Sequence, residues 1–166
     1  MTAPRHILVA IAGAEDPALA AQVANSIDSG GGAIEITLLY VEEAGPRGLA
    51  AHGLPLRSGP WPVHDGGKVE QRLAEADHLR AVELLEMWHE RFAVALPDAQ
   101  VTHVVVQGRP EQEIVAAADR LAADLLVLCP RPRTGPTEPG PRSLGHVARF
   151  VVDHSPVPVL LVRRSR

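Results

Sequence analysis

The placement of apolar residues leaves this chain few ways to fold. Five short runs rich in β-branched and large apolar residues are separated by stretches with helical spacing. The runs are Ile7 to Ala12, Ile34 to Val41, Val101 to Val106, Leu125 to Cys129 and Val159 to Val162. Leu125 to Cys129 has no polar alternation, as expected of a strand covered on both faces of a parallel sheet. Asp16-Pro17 is a good helix start, with Asp as N-cap and Pro at the first helical position, and Leu19, Val23 and Ile27 follow at steps of four. A long helix is expected from about Lys68 to Ala95. Ala81, Leu84, Leu85, Trp88, Phe92 and Ala95 form its apolar face, with Glu83, Glu86, His89 and Glu90 largely opposite. Gly108-Arg109-Pro110 turns into a third helix with Ile114, Val115, Ala118, Leu121 and Ala122 along one side. Ser143 is the expected cap of a fourth, whose apolar positions are Leu144, Val147, Val151 and Val152 and which Pro156 and Pro158 close.

Strand and helix therefore alternate, and right-handed crossovers make a mainly parallel α/β sheet the economical topology. With 166 residues the chain has the size of one domain, residues 1–166, large enough to bury its own core. A net charge of −4 provides no broad basic field, so no nucleic-acid partner is expected. No membrane partner is expected either, because no stretch approaches the length of a span. The N-terminal apolar run is short and Glu15-Asp16 follows at once, so it reads as a strand and not as a signal peptide. Cys129 is the only cysteine, which rules out an intramolecular disulfide and a cysteine-based metal cluster and fits a cytoplasmic location. The histidines show no HExxH and no tight metal spacing, so no metal is expected.

Residues 44–67 are rich in Gly and Pro and form a longer connection than compact domains ordinarily use. They read as a mobile loop, docked at most through Trp61, and as a surface open to a protein partner.

In a parallel α/β sheet, ligands collect outside the carboxyl ends of the strands and near helix N-termini, whose free amides favour anions. This directs attention to the loop after Leu125–Cys129 and the helix that follows it. There Pro132, Gly135, Gly145 and His146 fall at the positions of a signature that runs Gly, two residues, Gly, nine residues, Gly, then Ser or Thr. The nine-residue interval from Gly135 to Gly145 is kept. With Leu144-Gly145-His146-Val147, His154-Ser155-Pro156-Val157-Pro158-Val159 and the Gly108-Arg109-Pro110 turn, the chain resembles the universal stress protein family over nearly its whole length outside 44–67. The resemblance implies a three-layer sandwich around a five-stranded, mainly parallel sheet of flavodoxin-like order 3-2-1-4-5. It also implies a nucleotide cleft formed by Ala12, Gly13, Val41, Gly135, Gly145 and His146, and a homodimer paired through the last strand, Val157 to Val162.

Several substitutions weaken the nucleotide reading. Ala12 stands where nucleotide-binding members carry an acidic residue, and it can neither accept a hydrogen bond through its side chain nor supply charge. Pro132 replaces the first glycine, His146 replaces the hydroxyl residue, and Ala148 stands where many members have another. Five of the thirteen residues from 130 to 142 are Pro and offer no amide proton to a phosphate. Against these losses stand Arg131, Arg133 and Arg142, which can grip phosphate by bidentate contacts, and His146, which can donate to an anion. The expectation is a non-enzymatic stress-response or regulatory domain with a degenerate nucleotide cleft and no required cofactor. The alternative is an ATP-binding member or slow ATPase in which the arginines and His146 substitute for the usual groups. An enzyme using the same cleft for another ligand lacks a visible nucleophile and base.

Other lookalikes have simpler readings. Gly66-Gly67-Lys68 lacks the first glycine and the Ser/Thr of a P-loop and reads as a helix start. Ser29-Gly30-Gly31-Gly32 reads as a helix C-cap and turn. Cys129, at a strand end, reads as a small buried core residue.

Overall fold

The computed structural model describes residues 6–11, 17–27, 33–43, 66–129 and 144–162. Its elements are β1 (His6–Ile11), α1 (Pro17–Ile27), β2 (Glu35–Glu42), α2 (Gly66–Ala95), β3 (Gln100–Gln107), α3 (Pro110–Arg120), β4 (Leu125–Leu128), α4 (His146–His154) and β5 (Val159–Leu161). The strands form one sheet in the order β3-β2-β1-β4-β5, and every neighbouring pair is parallel. The register sets Ile7 opposite Ile36 on one side and Leu125 on the other, and Leu126 opposite Val159. This is the expected flavodoxin-like order.

Successive strand residues point to opposite faces, so β1 feeds two cores at once. Ile7, Val9 and Ile11 pack with Ile36, Leu38 and Val127 beneath α1 and α2, whose contributions include Leu19, Val23, Leu85, Trp88 and Phe92. Leu8 and Ala10 pack with Leu39, Leu126 and Leu128 against Ile114, Ala117, Ala118, Ala148 and Val151 of α3 and α4. Trp88 and Phe92, one turn apart, are fully buried and stack at 6.0 Å between ring centroids and 28° between planes. Helices therefore cover both faces, and apolar runs without alternation suit the central strands. Edge strand β3 is covered less well. Val101 and Val105 join the α1/α2 core, but Thr102 and Val104 are exposed on the opposite face.

Four expected face assignments are corrected. Ala95 is exposed because α2 ends there, clear of the core. Val152 is 44% exposed, while Ala148 and Val151 are the buried pair of α4. On α3 the buried positions are Glu111, Ile114, Ala117 and Ala118, with Val115 only half-buried. Ala122 lies beyond the helix end at φ 47°, exposed, where the amide of Ala123 reaches the carbonyl of Ala118 at 3.0 Å. That arrangement is a Schellman-type stop. A backbone termination signal at a non-glycine residue cannot be read from apolar spacing.

The amino-end edge of the sheet carries a polar tie that spans the chain. The His6 amide donates to Asp124 Oδ2 at 2.8 Å, and the Asp124 amide returns a bond to the His6 carbonyl at 2.8 Å. His6 Nδ1 lies 2.9 Å from the Leu121 carbonyl, which only accepts, so Nδ1 carries the proton. Its Nε2 meets Thr37 Oγ1 at 3.0 Å, and Thr37 Oγ1 lies 3.3 Å from Thr102 Oγ1. One imidazole thus links β1, β2 and the α3–β4 turn.

Helix α2 begins at Gly66, so Gly66-Gly67-Lys68 is a helix start as expected. Residues 44–65 with Trp61, and Ser29 to Gly32 apart from its neighbours at 33 onward, lie outside the described residues. Among the described residues, no helix is long and apolar enough to cross a membrane.

Candidate functional site

The carboxyl ends of β1, β2 and β4 and the start of α4 bound the candidate cleft. Val41 lies on the last turn of pairing in β2, opposite Val106, and packs half-buried against the α3/α4 core. Gly145 and His146 form the start of α4. Ala12, Gly13, Arg131, Pro132, Arg133, Gly135 and Arg142 lie outside the described residues. Of the nine site residues expected from the sequence, Val41, Gly145 and His146 are therefore placed, all at the carboxyl side of the sheet.

The start of α4 differs from expectation in its cap. Gly145, not Ser143, is the N-cap, at φ 80° and ψ 161°, and among the described residues no side chain caps the first-turn amides. The first intrahelical bond runs from the Arg149 amide to the Gly145 carbonyl at 3.1 Å. The amides ahead of it are left without helical acceptors, the general condition of a helix N-terminus and the reason such ends attract anions. The Gly145 backbone belongs to a region that L-residues rarely enter. A Cβ there would meet no atom of the described residues within 4 Å. Glycine is thus required here for conformation, and among the described residues nothing packs on it. Gly145→Ala is expected to cost about 1–3 kcal/mol; a loss below about 0.5 kcal/mol in urea unfolding would contradict the backbone path described.

His146 is exposed, whereas Ala148 is buried in the α3/α4 core. A hydroxyl at 148 would therefore point into apolar packing. Its absence is a matter of core composition, and only His146 alters the exposed chemistry of the helix start. Along the outer side of α4, Gly145, His146, Arg149, Phe150, Asp153 and His154 line an open depression of about 520 Å³. Phe150 and His154 stack at 4.0 Å and 14°, and His154 Nδ1–H donates to the Phe150 carbonyl at 2.8 Å. Sequence reasoning missed Arg149, Phe150 and His154. Their signal was the spacing of 146, 149, 150, 153 and 154, which is one helical face distinct from the buried one.

A second depression, about 480 Å³, lies beyond Val41 and is lined by Glu42, Gln71, Ala74, Glu75, His78, Leu79 and Gln107. Glu42 Oε1 meets His78 Nδ1 at 2.9 Å, and Gln107 Nε2 donates to Glu42 Oε2 at 3.3 Å. The pair joins α2 to the carboxyl end of β2. Such a join between distant residues has no periodic signature.

Cys129, just after β4, is 3% exposed, and burial pushes its thiol up to about 12. A thiol held neutral is a core group and not a nucleophile, as the sequence suggested. Among the described residues, no group of three or more His, Cys, Asp or Glu is arranged to hold a metal.

A five-stranded parallel sheet of order 3-2-1-4-5, with a glycine-started helix at its carboxyl side, defines a doubly wound α/β protein of flavodoxin-like topology. The family model for the universal stress protein family matches residues 4–163, and the chain belongs to that family. No curated protein matches the sequence significantly. Among solved structures, that of the hypothetical protein MJ0577 superposes with a TM-score of 0.73 at 21% identity, covering 100% of this chain and 99% of that one. The universal stress protein UspA from Lactobacillus plantarum superposes at 0.61 with 22% identity over 96% and 97% of the two chains. The universal stress protein from Archaeoglobus fulgidus in complex with dAMP superposes at 0.59 with 18% identity over 95% and 97%.

Proposed function

We propose that this chain is a non-enzymatic cytoplasmic universal stress protein in which the family's nucleotide cleft is retained in outline but binds adenine nucleotide weakly or not at all. The observation that carries the reading is the start of α4. The glycine-held helix start persists, without a side-chain cap among the described residues, while the signature hydroxyl position is the exposed imidazole of His146. The same fold carries dAMP in the Archaeoglobus fulgidus protein, so the architecture is compatible with a nucleotide and the side chains decide its affinity. Ala12 and Pro132 act in the same direction, removing an acidic anchor and a flexible glycine. At about 0.5–1.5 kcal/mol for each lost hydrogen bond, and more where a charged group such as the acidic anchor is lost, several such losses turn a micromolar site into one near millimolar or weaker.

Calorimetric titration with ATP and with AMP tests this. The native chain is expected to bind near millimolar or weaker, and an Ala12→Asp, Pro132→Gly, His146→Ser variant to gain about ten- to a thousand-fold. Tight, magnesium-dependent ATP binding by the native chain would establish the alternative, in which Arg131, Arg133, Arg142 and His146 hold the phosphates.

The proposal includes a homodimer through β5. This strand has β4 as its one neighbour in the sheet, and Val159, Leu160 and Leu161 are only half-buried. An apolar edge with unpaired backbone groups invites pairing, and two-fold symmetry favours the same strand from a second copy. Val159→Lys is expected to convert the dimer to monomer in light scattering at micromolar concentration. A native monomer, or a dimer indifferent to that change, would remove this part of the proposal.

A further inference from the structure

The side of the sheet under α1 and α2 holds two histidines that the nucleotide cleft does not use. His89 lies on α2, one residue after the buried Trp88, and is half-buried. His103 lies on edge strand β3, opposite Leu38, and is exposed. Their ring centroids lie 6.3 Å apart, with the planes tilted by 55°. Neither imidazole has a hydrogen-bond partner among the described residues. Both ring nitrogens of each histidine are therefore available.

We propose that His89 and His103 together bind a divalent transition-metal ion of the zinc type. Neutral imidazole is the commonest ligand for such ions, and Zn–N bonds run about 2.0–2.1 Å. Two imidazoles on one tetrahedral ion have ring centres roughly 5 Å apart. The observed 6.3 Å is about 1 Å wider, a gap that side-chain rotation can close. Exposed His103 can turn about its side-chain bonds to adjust, while the buried Trp88 and Phe92 hold the turn of α2 that carries His89. No third His, Cys, Asp or Glu joins the pair among the described residues, so water completes the shell and the site is exchangeable, unlike a closed structural zinc site. Bound metal would staple the long helix to the edge strand opposite β5. The pair lies on the α1/α2 side, remote from the α4 start, and the inference stands independently of nucleotide binding.

The test is titration of the tag-free chain with zinc chloride, followed by calorimetry and by imidazole proton NMR. One ion is expected to bind ahead of any other, shifting the resonances of these two rings first. His89→Ala and His103→Ala should each weaken that event about tenfold or more, because each removes half of the protein ligands. An ion bound only by the folded chain also raises Tm, here by a few degrees at a tenfold excess over Kd, and the double variant should lose that shift. Both positions have access to solvent, so the variants should retain the native circular dichroism. His103→Gln, which keeps the length and polarity, provides a second route to the same loss. The proposal is overturned if the native chain shows no binding at 1 mM zinc, if other histidines shift first, or if the double variant binds as the native chain does.

Discussion

Trp88→Ala is expected to remove about 3–5 kcal/mol of folding stability, the usual cost of deleting a large aromatic side chain from a packed core. Trp88 is 0% exposed and stacks on Phe92, which is equally buried. Its ring fills the space between α2 and the sheet, and backbone elements on both sides limit how far the gap can close. A domain of this kind has on the order of 5–15 kcal/mol in total, so the variant should unfold at much lower urea concentration with a similar slope. Val94, six positions on and 83% exposed, provides the control. Val94→Ala should change stability by less than about 0.5 kcal/mol. A Trp88→Ala cost near that of the control would mean that α2 does not pack as described.

The second large effect is alkaline. Burial pushes the Cys129 thiol from 9.0 up to about 12. Between those values the unfolded chain has released the proton and the folded chain still holds it. Folding then binds a proton, and stability falls as pH rises, by up to about 1.4 kcal/mol per pH unit. The full contribution is present below pH 9, and about 4 kcal/mol is lost by pH 12. The comparison that isolates the term is the difference in pH dependence between the native chain and Cys129→Ala, whose own cavity cost is constant with pH. From pH 9 to 10.5 the native chain should lose about 2 kcal/mol more than the variant. A thiol reagent should label Cys129 at neutral pH only through unfolding. Labelling at the rate of a free thiol in native buffer would place the sulfur at the surface.

Much of this architecture was legible because it rests on local chemistry. Pro17 at the start of α1, the apolar spacing of Ala81, Leu85, Trp88 and Phe92, and the unbroken run at Leu125 each report the environment of a few consecutive residues. The strand order came from family resemblance, since no residue of β1 states that it will lie between β2 and β4. What escaped the sequence was set by backbone conformation or by distant partners. Ser143 has the chemistry of a cap, but Gly145 has the freedom to adopt φ 80° and starts the helix two residues later. Ala148 belongs to the family's functional positions by alignment of motifs, yet its side chain faces the core. Glu111 looks like an ordinary acidic residue at a helix start. It is 6% exposed, with one oxygen 3.0 Å from Arg109 Nη2 and Oε2 without a partner. The loop from 130 to 142, which carries most of the expected phosphate ligands, lies outside the described residues.

The reciprocal bonds between His6 and Asp124 join residues 118 positions apart, and this separation bears on how the protein is made. Strand β1 sits at the centre of the sheet, but its second neighbour, β4, leaves the ribosome long after it. At about 5–20 residues per second, the interval is roughly 6–24 s. During that time β2 can cover one edge of β1, while the other edge presents Ile7 to Ile11 with unmatched backbone donors and acceptors. An apolar strand in that condition is a template for another chain. The yield of native protein should therefore depend on whatever shields this edge until Asp124 arrives, and a slowed codon run just before β4 should lower it more than one placed after β5.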